Sequence, residues 1–333
     1  MRHRLWSGEL PRLRRELLAR DVVRFAFYLP HDHPEIAEGV SHAVEAYMRG
    51  VGQGPKTICH AFTNDDEGDA LTEARWNYVR RLLSPDRPFR FIEELPEDIA
   101  DRMEKRGYAT RVLLDGGLRS RNGYEFHYQA RIPWRTPSLD TVSLLFATLP
   151  TEYLHEHGPT KVRELALEMA SQLRFASGHV GFALRLYWPL RRADESIRAE
   201  LARHPGIDLR PAWFEEQHLG ERVDGVHWLN FLGQPVLGEA GGAELLRSRL
   251  QSADATVHEL DENRVMVSLG QGPEAGDLAS GHDLPTYREF ARVLEPWLEP
   301  LPLTDATGEQ GNLHDAMGFT QEEVRRWSRR FLD

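Results

Sequence analysis

The chain has little cysteine, little excess of basic charge and no long apolar run. Its 333 residues contain one cysteine, Cys59, which excludes an internal disulfide and any zinc site built from several thiolates. No apolar run reaches the length of about 18 residues that a membrane-spanning helix needs. Lys and Arg number 41 against 52 Asp and Glu, a formal charge of -11. Sequence-independent nucleic-acid binding needs a basic footprint, so neither nucleic acid nor membrane is an expected partner. The arginine-rich opening, MRHRLWSGELPRLRRELLAR, lacks the apolar stretch and small-residue cleavage site of a secretory signal. Cytoplasmic residence is therefore expected, and the single cysteine agrees with it.

What is present suits a globular protein. Hydrophobic residues make up 41% and charged residues 28% of the chain, and the mean hydropathy is -0.52. A chain of this length buries about three-quarters of its unfolded surface, enough for a core without a metal or disulfide staple.

The run Val22–Leu29, rich in β-branched and aromatic residues, predicts a buried strand. A helix follows over 35–49, with Ile36, Val40, Val44 and Tyr47 on one face and Gly50, Gly52 and Gly54 beyond it. Then come a strand over 56–63, helices over 72–83 and 97–106, and strands within 108–117 and 122–134. A second strand–helix unit occupies 141–150 and 160–173, its strand closed by Leu-Pro like the first. Further strands are expected after Gly178 and within Gly225–Gly233, a helix over Glu244–Leu250, and a hairpin turning at Asp261–Asn263. A helix opens at Pro285, and another is started by a capping box of Thr320 and Glu323. The expected class is α+β, with mixed or antiparallel sheets packed against amphipathic helices. The expected organisation is an arginine-rich segment (1–20), two related α/β halves (21–136 and 137–300), a loop (301–319) and a C-terminal helix packed on the body (320–333).

Candidate catalytic motifs fail one by one. His31-Asp32-His33 offers two ring nitrogens on a turn, yet a metal site needs a further convergent ligand and none is marked. His155-Glu156-His157 lacks the i, i+4 spacing that places two imidazoles on one helical face. Cys59 and His60 are adjacent on an expected strand, so their side chains diverge and Cys59 reads as a small buried hydrophobe. In GVGQGPKT, Pro55 precedes the lysine and removes an amide that a phosphate loop would use. Around NDDEGD, aligning Gly68 with the invariant glycine of a calcium loop puts Ala74 where a bidentate glutamate belongs. No catalytic residue, metal or cofactor is expected.

The segments DGVHWLNFLGQPVLGEAGGAELLRSRL, VMVSLGQGPEAGD, DLPTYREFARVLEPWL, RFAFYLPHDHPEIAEGVSHAVEAYMRGVG and LRFASGHVGFAL together resemble the type VI secretion immunity family. The resemblance spans about Asp21 to Leu298, with WLNFLG and SGHVGFAL its most specific parts. It implies a protein that binds and neutralises a cognate secreted toxin in the cytoplasm, by occlusion and without catalysis. The acidic composition suits a basic toxin, and the acidic turn, with Asp65, Asp66, Glu67 and Asp69, is the candidate contact surface. Trp228, Leu229 and Phe231 are expected in the core. The alternatives are an adaptor or structural partner of a secretion system, and a metal-dependent hydrolase using His31 and His33.

Overall fold

In a computed structural model, the described residues are 4–6, 17–63, 68–85, 110–117, 121–131, 141–187, 195–209, 219–299 and 319–333. The expected helix over 97–106 and the loop over 301–318 lie outside them. Strands β1 (Arg4–Trp6) and β2 (Leu17–Leu29) lead into helix α1 (His33–Val51), and β3 (His60–Thr63) and β4 (Asp69–Ala70) into α2 (Glu73–Leu82). Strands β5 (Arg111–Asp115), β6 (Glu125–Gln129) and β7 (Ser143–Pro150) precede α3 (Thr151–Ala170) and β8 (Ser177–Leu186). Then follow α4 (Glu195–Arg203), β9 (Ile207–Asp208), β10 (Leu229–Leu232), α5 (Val236–Glu239) and α6 (Gly242–Arg249). The hairpin β11 (Ala255–Asp261) and β12 (Arg264–Leu269), α7 (Pro285–Leu294) and α8 (Gln321–Ser328) complete the described strands and α-helices, with short 3-10 turns at Leu278–Ser280 and Glu295–Trp297.

One sheet runs through both halves of the chain, in the order β11-β12-β10-β8-β2-β7-β6-β5-β3-β4. Every neighbour along this path is antiparallel; β1 joins β2 antiparallel, and β9 lies parallel to β8. The class is α+β, as the mixture of hairpins and helices predicts.

The two strand–helix units sit side by side: β2 pairs with β7 from Val22↔Pro150 to Leu29↔Ser143. Alternation along β2 sorts its residues between two faces. Val23, Phe25, Phe27 and Leu29 share the main core with Ile36, Val40 and Tyr47 of α1 and Val162, Leu165 and Met169 of α3. Trp228, Leu229 and Phe231 are fully buried in that core. A second core joins Ala19 and Leu184 to Ile197, Leu201, Ile207, Val324 and Trp327.

Helix α3 begins nine residues before the expected Thr160. Gly158, at φ 78°, interrupts it, and Pro159 restarts it. The left-handed conformation is one that glycine adopts without a Cβ clash, and proline suits a first helical turn. Helix α8 starts as expected: the Thr320 hydroxyl accepts from Glu323 N, and the Glu323 carboxylate accepts from Thr320 N.

The other face of β2 carries Arg20, Arg24, Ala26 and Tyr28. Directly opposite on β8 stand Arg185, Gly181, His179 and Ser177. Glu125 on β6 pairs with Arg185 on this face. A sheet face with so many polar groups needs a polar cover, and the segment 219–228 supplies part of it. The Ser177 hydroxyl donates to Arg222 O at 2.6 Å, and the Tyr28 hydroxyl donates to Asp224 at 2.9 Å.

Candidate functional site

The residues singled out in the sequence do not converge. Asp32 caps α1, with Glu35 accepting from its backbone amide at 3.0 Å, and pairs with Arg131 at 2.6 Å. His33 is buried. Its Nδ1 lies 3.0 Å from the Tyr128 hydroxyl and its Nε2 3.2 Å from Ser84 O, so both ring nitrogens are taken by local partners. The His31 Nδ1 lies 3.9 Å from Glu35. This removes the metal reading of His31 and His33: the turn is the start of a helix, anchored to the sheet through Ser143, whose hydroxyl donates to His31 O at 2.8 Å.

His155 and His157 are exposed on the first segment of α3, and the ring of His157 lies 4.3 Å from that of Tyr153. Cys59 departs from expectation. Strand β3 begins at His60, so strict alternation does not extend to Cys59, and its Sγ lies 3.5 Å from His60 Nδ1. The thiol also lies 3.4 Å from Gly116 O, is only half-buried, and has its pKa raised by burial and by Asp115. A raised thiol pKa disfavours the thiolate. Of the acidic turn, Asp65, Asp66 and Glu67 lie outside the described residues. Asp69 is exposed in β4, which ends the strand order among the described residues.

A different set of residues does converge, on the polar face of the sheet. The partner of β8 changes along its length: β10 pairs over 177–180, and β9 pairs at Phe182 and Ala183. At this junction stand His179 on β8, Asp208 on β9, and Asp224 and His227 on the segment leading to β10. Each is at most 4% exposed. The imidazoles of His179 and His227 stack, with centroids 3.6 Å apart and planes 12° apart.

Gly181 makes this possible, since a Cβ there would stand 3.2 Å from His227 Cβ and 3.3 Å from its Nδ1. The backbone of His227 is fixed by Asn230, whose Oδ1 accepts from His227 N at 2.9 Å and whose Nδ2 donates to His227 O at 2.8 Å.

The charges are shared unevenly. Asp224 Oδ2 accepts from Tyr28 and lies 2.8 Å from His179 Nδ1 and 3.7 Å from His227 Nε2. Burial acts against the Asp224 carboxylate, but the two histidines outweigh it and hold its pKa well below the usual range. Asp208 Oδ2 lies 3.3 Å from Arg24 Nη1. Burial opposes ionisation there too, yet His227, Arg24, His179 and Arg330 lower its pKa. Burial, with His179 beside it, pushes His227 down to about 4. Asp208 Oδ1, Asp224 Oδ1 and both ring nitrogens of His179 have no well-aligned hydrogen-bond partner among the described residues, although His179 Nδ1 lies close to Asp224 Oδ2. No helix among them is long and apolar enough to cross a membrane.

The four residues are scattered over 179–227 in no recognised motif, so spacing could not reveal them. The available signal was a histidine inside the apolar run SGHVGFAL and the DGVH sequence before WLNFLG.

Comparison with known proteins places the architecture. The structure is similar to that of the Pseudomonas aeruginosa T6SS protein PA0821, with a TM-score of 0.69 and 17% identity, over 95% of this chain and 85% of that one. At that identity the likeness speaks for the fold. No curated protein matches the sequence. The family described as type VI immunity for VRR-NUC matches residues 112–331, from β5 to the last turn beyond α8, and includes every residue of the buried histidine–aspartate cluster. The chain belongs to this TsiV family of type VI immunity proteins.

Proposed function

We propose that the protein binds a cognate VRR-NUC nuclease toxin in the cytoplasm and neutralises it by covering its active or substrate-binding surface, without chemistry of its own. The observation that carries this reading is family membership over 112–331. Charge supports it: a nuclease grips a polyanion, so its working surface is cationic, and this chain carries a formal charge of -11. We place the contact at the acidic turn, Asp65, Asp66, Glu67 and Asp69, because Asp69 is exposed at the end of the strand order. Long-range attraction between such surfaces speeds encounter and orients the partners.

The test is co-expression and reconstitution with a VRR-NUC nuclease from the same genome. A complex that survives gel filtration and abolishes DNA cleavage is the expected result. Undiminished cleavage at a molar excess of the protein overturns the proposal.

A further inference from the structure

We infer that His179, His227 and Asp208 form a binding site for one divalent transition-metal ion of the zinc type, with Asp224 orienting His179 from behind. The inference does not depend on the toxin reading.

Its first support is convergence. One ligand atom from each of His179, Asp208 and His227 lies within 4.8 Å of the other two. Some point is then within about 2.8 Å of all three; for both imidazoles to aim a lone pair at one ion at the 2.0–2.2 Å of zinc–nitrogen and zinc–oxygen bonds, one ring must turn out of the stack on binding. Two imidazoles and one carboxylate are a borderline donor set. It suits zinc and its transition-metal neighbours, and not the all-oxygen preference of calcium or magnesium.

The second support is the unmet polar capacity at the same place. Asp208 Oδ1 and His179 Nε2 are buried without a hydrogen-bond partner among the described residues. Such groups are costly in a protein interior unless something satisfies them. Asp224 Oδ2 sits 2.8 Å from His179 Nδ1, so Nε2 is the nitrogen we assign to the ion. A carboxylate behind the far nitrogen of a histidine is the usual second layer of a zinc site, fixing the tautomer and raising the basicity of the ligating nitrogen. Tyr28 holds that carboxylate in turn.

Room and charge also fit. Gly181 lacks the Cβ that would crowd His227. Two buried carboxylates face the site, while Arg24 and Arg330 are the cations acting on Asp208; Arg24 reaches Oδ2 and leaves Oδ1. With every ligand at most 4% exposed, the ion would be structural, tying β8, β9 and the segment before β10 together, and slow to leave.

The test uses the full-length chain. Metal content is measured as purified, then after unfolding in chelator and refolding with Zn²⁺ or Co²⁺. The expected result is about one ion per chain, with cobalt absorption bands of a four- or five-coordinate nitrogen–oxygen site. His179→Gln and Asp208→Asn should each abolish stoichiometric binding, and Asp224→Asn should weaken it about 10–100-fold. The exposed-pair variant His155→Gln/His157→Gln should bind as the parent does.

Sub-stoichiometric zinc in the parent protein under both conditions overturns the inference. So does stoichiometric metal that survives in folded His179→Gln and Asp208→Asn. Circular dichroism establishes folding. Where a variant fails to fold, the cobalt spectrum of the parent decides, and a six-coordinate, water-like spectrum overturns the site.

Discussion

His179 and His227 stack face to face, 3.6 Å between centroids, with the Asp224 carboxylate beside both rings. Two imidazoles so close repel each other when both are charged. Asp224 faces both rings and Asp208 acts on them as well, so the pair stands against two buried carboxylates.

Replacing the shared acceptor should therefore cost more than replacing one of its donors. Asp224→Asn removes the negative charge that faces Tyr28, His179 and His227, and loss of one partner in a buried ionic network costs about 3–5 kcal/mol. Tyr28→Phe removes one hydrogen bond to a charged acceptor, at about 1.5–3 kcal/mol. Urea denaturation of metal-free protein measures both. The double variant should lose less than the sum, by at least about 0.5 kcal/mol, because the two groups act on one contact.

Acid should loosen the metal-free protein in a window set by its buried histidines. Burial holds His227 at about 4 and His127 at about 3, against about 6.5 when unfolded. Below pH 6.5 the unfolded chain takes up protons that the folded chain refuses. The stability these groups contribute is complete above that pH, and is lost as pH falls toward 4 for His227 and toward 3 for His127. Each histidine contributes a slope of about 1.4 kcal/mol per pH unit inside its window. The urea midpoint should fall between pH 6.5 and 4.5, and His127→Phe should roughly halve the slope. A midpoint independent of pH over that range would contradict the assignment.

Gly181→Ala tests the space beside His227. The added Cβ would meet His227 at 3.2–3.3 Å, so the ring or the strand must shift by a few tenths of an ångström. A tight, buried overpacking of this kind costs about 1–3 kcal/mol. NMR of the histidine side chains should show His227 displaced more than His33, whose partners Tyr128 and Ser84 lie elsewhere.

The sequence made the framework legible where one physical rule dominated. Val22–Leu29 reads as a strand because every other residue enters the apolar core. Its extension back to Leu17 is not legible because Arg20 and Asp21 are charged; both are nonetheless buried and reach partners far along the chain, Arg20 donating to Glu152 and Asp21 accepting from Thr151. The start of α3 was hidden by Gly158-Pro159, which marks a boundary locally but here only interrupts a helix. The start of the C-terminal helix is legible to the residue, since a capping box is a local device, whereas its end at Ser328 falls short of the expected 333.

The cluster was illegible for the opposite reason. His179, Asp208, Asp224 and His227 meet only because β8 changes neighbour between β10 and β9, a fact of topology that no local pattern encodes. His31-Asp32-His33 drew notice through density alone, and density in sequence did not become convergence in space.

Charge reversal at the acidic turn addresses the toxin-binding surface directly. Asp69 is exposed, so Asp69→Lys should leave thermal stability within about 0.5 kcal/mol of the parent. If the turn steers a cationic nuclease, the triple variant Asp65→Lys/Asp66→Lys/Asp69→Lys should slow association about tenfold at low salt, with a smaller change in dissociation. Screening supplies the control. The Debye length is about 10 Å at 0.1 M salt and about 3 Å at 1 M, so the gap between parent and variant should close as salt rises. Stopped-flow or surface-binding kinetics against the purified toxin measures this. Equal association rates at low salt would move the contact away from the turn, while a gap that persists at 1 M salt would make the turn a packed contact instead of a steering surface.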